Sequence, residues 1–307
     1  MTLDPQAALL IELAAAAELP DIHTLTPVKA REHYDNRTAG LQASPAVGEV
    51  IDRTIPGPAG ELPVRVYQPL DVNAVTPALV FFHGGGWVIG TVDTHDLVCR
   101  ALCEATAATV VSVEYRLAPE HPFPAAPDDC EAATRWIAEH GEEIGVDGSR
   151  LAVCGDSAGG NLAAVVAQRC RGDLTIAAQA LVYPATDMTD RTRPSLTQNA
   201  EGYLLTAQAM QWFYGHYLVE ESQQRDPDAS PLLGDLSDLP PAIVLTAEFD
   251  PLRDEGRAYA EALRNAGGEV SYRQYDGHVH TFFTQVGFMA ASLDAVERIA
   301  EFVTARW

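Results

Sequence analysis

Leu151-Ala152-Val153-Cys154-Gly155-Asp156-Ser157-Ala158-Gly159-Gly160-Asn161-Leu162 is the stretch on which the fold turns. Its first four residues are apolar or small on both faces, as a strand buried inside a sheet requires. Ala158 to Cys170 then shows helical periodicity. Gly155 to Gly159 reads G-x-S-x-G. That spacing alone is a weak signal, since a serine before a helix can be a simple N-cap. Between a buried strand and a helix it describes a sharp turn that lifts a serine hydroxyl above the sheet edge. Small flanking residues relieve the crowding of such a turn, and the helix N-terminus behind it favours developing negative charge. Ser157 is therefore the candidate nucleophile.

Outward from this stretch the same alternation repeats. Ala78-Leu79-Val80-Phe81-Phe82, Thr109 to Val113, Ala178 to Tyr183, Ala242 to Leu245 and about Val270 to Gln274 read as further strands. Helical patterns lie over Asp96 to Thr106, Ala126 to His140, Glu255 to Ala266 and about Ser292 to Arg306. Val64-Arg65-Val66-Tyr67 alternates apolar and polar and reads as an early antiparallel strand. The pattern predicts an α/β protein with a mostly parallel sheet and helices on both faces. Two segments break it. Met1 to about Pro45 is helical without a strand, and about Thr186 to Pro231 is far longer than an ordinary connection. Together they suggest a helical cap (1–45 and 188–228) over a catalytic core (46–187 and 229–307), because long ordered insertions over such sheets are usually lids.

The net charge of −23 opposes partnership with nucleic acid or anionic membranes. The apolar run Leu9 to Leu19 is preceded by Asp4 and interrupted by Glu12, so it lacks the basic lead of a secretory signal. No stretch reaches the ~18 apolar residues of a membrane span. The five cysteines, Cys99, Cys103, Cys130, Cys154 and Cys170, are odd in number and form no CxxC pair. They read as reduced, buried thiols of a soluble cytoplasmic chain.

Acyl transfer needs N–H groups aimed at a carbonyl oxygen as it gains charge. His83-Gly84-Gly85-Gly86-Trp87 follows the strand ending at Phe82, and glycines present N–H groups without side chains in the way. Gly84, Gly85 and the N–H of Ala158 are the expected oxyanion donors. The spacing is not G-x-x-x-x-G-K, so a phosphate loop is not expected. The serine's partners should follow it as an acid and then a histidine. Asp250 stands just past the strand Ala242 to Leu245, before Pro251, with Glu248 as its rival. Asp254 and Glu255 suit the first turn of the next helix. His278 and His280 both fall after the last expected strand, and position does not choose between them.

Taken in order, His83-Gly84-Gly85-Gly86-Trp87, Tyr115-Arg116-Leu117-Ala118-Pro119-Glu120, Gly155-Asp156-Ser157-Ala158-Gly159-Gly160-Asn161 and Asp250-Pro251-Leu252-Arg253-Asp254-Glu255-Gly256 closely resemble the bacterial hormone-sensitive-lipase-like esterases, from about Val64 to the C-terminus. The resemblance implies an α/β-hydrolase fold and a triad of Ser157, Asp250 and His280. It implies cleavage of short- to medium-chain carboxylic esters, with no cofactor or metal. His280 is chosen because Phe282 then matches the aromatic usually found two residues after the base. One departure stands out: the family usually has His-Gly-Phe, and this chain has His280-Thr281-Phe282, which puts the pocket shape in doubt. Tyr115 to Glu120 is expected to shape the sheet edge. Trp87, Tyr203, Leu204, Leu205, Trp212 and Phe213 are the expected pocket lining, for a small-molecule ester; assembly as a homodimer is left open. Rival readings are a receptor that has lost catalysis and a metal hydrolase built on His278-x-His280. An i, i+2 histidine pair is a weak metal signal.

Overall fold

The continuous apolar runs become interior strands of one eight-stranded sheet in the computed structural model, which describes residues 2–38, 45–70 and 75–307. The strands are β1 Glu49–Gly57, β2 Gly60–Gln68, β3 Thr76–Phe82, β4 Thr109–Val113, β5 Val146–Asp156, β6 Ile176–Val182, β7 Ala242–Phe249 and β8 Val270–Val279. Their order is β1-β2-β4-β3-β5-β6-β7-β8. β2 is antiparallel to both its neighbours, and all later pairings are parallel. The alternating Val64 to Tyr67 lies in β2, as expected.

Successive residues of a strand point to opposite faces, and here both faces are buried. Ala78, Val80 and Phe82 of β3 pack into one core, and Leu79 and Phe81 into the other. On the first face lie the helices α4 (Ala125–His140), α5 (Ala158–Arg169) and α8 (Arg253–Asn265); on the second lie α3 (Asp96–Thr106) and α9 (Ala290–Thr304). Burying one such Leu or Phe side chain contributes about 1.5–3 kcal/mol. The five cysteines are free and buried within this packing. Burial pushes the Cys103 thiol up to about 12, so it stays protonated at neutral pH.

The described part of segment 1–45 holds α1 (Pro5–Ala16), a short 3₁₀ turn (Ile22–Thr24) and α2 (Pro27–Thr38); residue 1 and residues 39–44 of the expected cap lie outside the described residues. Pro5 opens α1 and the Asp4 carboxylate accepts the Gln6 N–H at 2.8 Å, which caps it. Segment 188–228 holds α6 (Pro194–Gln198) and α7 (Ala207–Tyr217). The Thr206 hydroxyl accepts the Ala209 N–H at 3.1 Å to start α7. The two segments meet where Trp212 Nε1 donates to the Leu25 carbonyl at 3.2 Å. Among the described residues no helix is long and apolar enough to cross a membrane.

Two sequence expectations change. The last strand does not stop near Gln274. A bulge between Ala247 and Phe249 lets β8 continue to Val279, which pairs with Phe249, and that puts His278 inside the strand. Tyr115 to Glu120 does not shape a sheet edge either, because β4 lies between β2 and β3.

Candidate active site

β5 ends at Asp156 and α5 begins at Ala158, so Ser157 carries the whole change of direction. Its φ of 57° and ψ of −117° are unfavourable for a residue with a Cβ, at a cost of about 1–3 kcal/mol that the surroundings must impose. They do so through the Ser157 N–H, which donates to Val182 at 2.9 Å, and its carbonyl, which accepts from Asn161 at 3.0 Å. Gly159 is obligatory in this turn: a Cβ there would sit 1.9 Å from the Phe82 carbonyl oxygen.

His280 stands one residue past β8, and Asp250 one residue past β7. His280 Nε2 lies 3.0 Å from Ser157 Oγ and Nδ1 lies 2.7 Å from Asp250 Oδ2. A carboxylate only accepts, so Nδ1 carries the proton and Nε2 is left to accept from the serine hydroxyl. Asp250 is fully buried. Its second oxygen accepts the Leu252 N–H at 2.9 Å, and Asn199 at the end of α6 donates to the Asp250 carbonyl at 3.0 Å. The imidazole rests on the Tyr183 ring at 4.3 Å.

The rivals lie elsewhere. Glu248 points away from His280, and its Oε2 accepts the Gly277 N–H at 2.7 Å. This bond spans the β7–β8 bulge. Ring contacts to Tyr275 and Phe282 hold His278, and burial lowers its pKa.

The glycine loop departs from expectation at its first residue. The Gly84 N–H turns inward and donates to Asp156 Oδ1 at 2.9 Å, so it is not available to an oxyanion. The N–H groups of Gly85, Gly86 and Ala158 have no acceptor among the described residues, and all three residues line the cavity above Ser157. The Gly86 N–H is the free group beside the cavity that sequence reasoning missed. The Gly86 φ is +58°, and a Cβ there would meet Phe213 at 2.3 Å. His83 props the loop from behind: its Nδ1 is 2.8 Å from the Gly84 carbonyl and its ring stacks on Tyr115 at 4.3 Å. Burial, helped by nearby His95, lowers the His83 pKa to about 3, so the ring is neutral and donates to that carbonyl. The Tyr115 hydroxyl donates to the His83 carbonyl at 2.7 Å, which gives the Tyr115 segment its place behind the loop.

The cavity has a volume of about 390 Å³. Of the expected lining, Trp87, Leu204, Leu205 and Phe213 border it; Tyr203 and Trp212 do not. Tyr203 stacks on Phe249 at 4.9 Å, and Trp212 spends its N–H on Leu25. Ile11, Ala14 and Ala15 of α1 complete the wall, along with Met210 and Tyr214 of α7. The i, i+3, i+4 spacing of the first three was a readable sign of one helical face. Thr281 also borders the cavity, in a left-handed conformation with φ 74°. Thr284 donates twice to its carbonyl, at 3.2 Å (N–H) and 3.0 Å (hydroxyl), which holds this conformation unusual for a β-branched residue. Among the described residues no cluster of three or more His, Cys, Asp or Glu could hold a metal ion.

Comparison with known proteins adds a second line. The alpha/beta hydrolase fold family matches residues 79–284. The carboxylic ester hydrolase LipN of Mycobacterium tuberculosis is 44% identical, covering 92% of this chain and 77% of that protein. The ethyl acetate hydrolase of Pseudomonas putida is 39% identical, covering 92% of each. A hyperthermophilic esterase of Pyrobaculum calidifontis superposes with a TM-score of 0.95 at 41% identity, covering 99% of both chains. An ester hydrolase from the Lake Arreo metagenome, solved with a derivative of bipyridine phosphonate, has a TM-score of 0.94 at 44% identity, again over 99% of both chains.

Proposed function

We propose that this chain, which belongs to the hormone-sensitive-lipase-like carboxylesterases of the α/β-hydrolase fold, cleaves short- to medium-chain esters with Ser157 as nucleophile, His280 as base and Asp250 as the acid that orients it. The observation that carries this is one unbroken chain of contacts at the cavity floor: Asp250 Oδ2 to His280 Nδ1 at 2.7 Å, and His280 Nε2 to Ser157 Oγ at 3.0 Å. The free N–H groups of Gly85, Gly86 and Ala158 face the same space.

In this reading Ser157 Oγ attacks the ester carbonyl carbon as its proton passes to His280 Nε2. The carbonyl electron pair moves onto oxygen, where the three N–H groups receive it. Asp250 holds the tautomer and stabilises the imidazolium. Collapse breaks the bond to the alcohol oxygen, which takes the proton from Nε2. Water then attacks the acyl-serine by the same route, with His280 again as base, and the carboxylic acid leaves. Asp250→Asn should preserve the melting temperature and reduce turnover by about 10⁴, because an amide N–H donating to Nδ1 leaves His280 in the wrong tautomer to accept from Ser157. Steady-state kinetics with a thermal melt check this. A near-normal rate would move the role to another residue.

Segments 1–45 and 188–228 act as the cap in this reading. Support comes from Ile11 and Ala15 on one side of the cavity and Met210 and Phe213 on another. A mainly apolar cavity of about 390 Å³ suits a short acyl chain, and the name of the Pseudomonas putida relative points the same way. Acyl chains of about four to eight carbons should give higher kcat/KM than chains beyond about twelve, since each buried methylene gains affinity only while the pocket has room. A panel of esters of increasing acyl length measures it. Rising kcat/KM past twelve carbons, or activation at a lipid interface, would contradict a pocket of limited depth. The place of action in this reading is the cytoplasm, supported by five free, buried cysteines. Nucleic acid and membranes are not partners, in keeping with the net charge of −23, and a homodimer is the assembly to test for.

A further inference from the structure

A second aspartate–histidine pair lies beneath the nucleophile turn, apart from the proton transfer described above. Asp156, the residue before Ser157, and His95, the residue before α3, are both buried. Asp156 Oδ1 accepts the Gly84 N–H at 2.9 Å, and His95 Nε2 stands 3.3 Å from the same oxygen. Asp156 Oδ2 accepts from the Tyr183 hydroxyl at 3.4 Å, and the Tyr183 ring is the shelf under His280. One carboxylate therefore touches the glycine loop, the serine turn and the support of the base. The fit is close: a Cβ on Gly84 would lie 2.5 Å from Asp156 Oδ2.

Hydrogen counting gives His95 its part. The Thr94 hydroxyl has one hydrogen, which its 2.9 Å contact with the Thr91 carbonyl uses. His95 Nδ1, 2.9 Å from the same hydroxyl oxygen, then has to be the donor there. That leaves Nε2 as an acceptor, and it takes a second, longer contact from the Gly84 N–H at 3.3 Å, beside Asp156 Oδ1.

We propose that Asp156 and His95 are positioning residues for the oxyanion hole: both receive the Gly84 N–H and fix it so that the next two N–H groups aim into the cavity. The proposal rests on the reading of Ser157 as nucleophile and of Gly85, Gly86 and Ala158 as oxyanion donors. An oxyanion interaction strengthens in the transition state, so its loss lowers kcat and spares KM.

The test is steady-state kinetics on Asp156→Ala, Asp156→Asn and His95→Gln, with thermal melts and the rate at which a phosphonate labels Ser157. Asp156→Ala should lose about 10² in kcat, comparable to removal of one oxyanion donor, with KM changed less than about threefold. Asp156→Asn keeps an oxygen for the Gly84 N–H and should recover about tenfold over alanine, a rescue that loss of packing would not show. Phosphonate labelling should slow in parallel with kcat. A folded Asp156→Ala protein with wild-type kcat, a loss confined to KM, or an asparagine variant no better than alanine would each overturn the proposal. Should the alanine variant fail to fold, the near-isosteric asparagine and His95→Gln decide, since a wild-type kcat in both is equally fatal. Ser157→Ala is the control for the underlying reading: turnover retained there overturns that reading and this proposal with it.

Discussion

Ser157→Ala abolishes ester hydrolysis while the protein melts as before. The expected loss is about 10⁶ in kcat, the scale seen when the serine of a comparable triad is removed. In the proposed mechanism the hydroxyl is both the acyl acceptor and the source of the proton that His280, 3.0 Å away, takes, and alanine supplies neither. The fold should not notice. The strained turn is held by the Ser157 N–H to Val182 and by its carbonyl to Asn161, and alanine keeps both bonds. The residual rate should come from binding and the oxyanion N–H groups alone. Treatment with an organophosphate separates the two proteins by mass: the wild-type chain gains one covalent adduct and the variant gains none. Equal labelling of both would show that the nucleophile is elsewhere.

The fold was legible because its interior strands are buried on both faces, so that Ala78 to Phe82 reads as an unbroken apolar run and Thr109 to Val113 as a β-branched one. Ser157 was legible for a related reason: a turn between strand and helix leaves its mark in consecutive residues. Properties that depend on distant neighbours were not. The sequence marks a loop of three glycines, but which N–H turns inward depends on Asp156, 72 positions away. Tyr203 and Trp212 are bulky and largely apolar, like Leu204 and Phe213, yet they pair with Phe249 and Leu25 instead of bordering the cavity. Composition gives the content of a cap and leaves its direction open. Glu248 and Asp250 are two apart in the chain. One carboxylate holds the bulge through Gly277, the other holds His280, and the bulge itself arises from pairing with β8.

The same bulge decides between the two histidines. In an extended segment residues two apart point the same way, so His278 and His280 would be equivalent if both followed the last strand. They do not. Val279 still pairs with Phe249, His278 is inside β8, and His280 is the first residue free to turn toward Ser157. His278 makes ring contacts with Tyr275 and Phe282, and its Nδ1 has no partner among the described residues. His280→Ala should therefore lose about 10⁶ in kcat, as the base of a comparable triad does, with little change in melting temperature. His278→Ala should keep most of its turnover and lose about 1 kcal/mol of stability from the missing ring contacts. The two variants lie two residues apart and share a residue type, so general damage to this region would slow both alike. An inactive His278→Ala beside an active His280→Ala would mean that the chain is shifted by two residues relative to Ser157, and the contact at 3.0 Å could not then be the path of the proton.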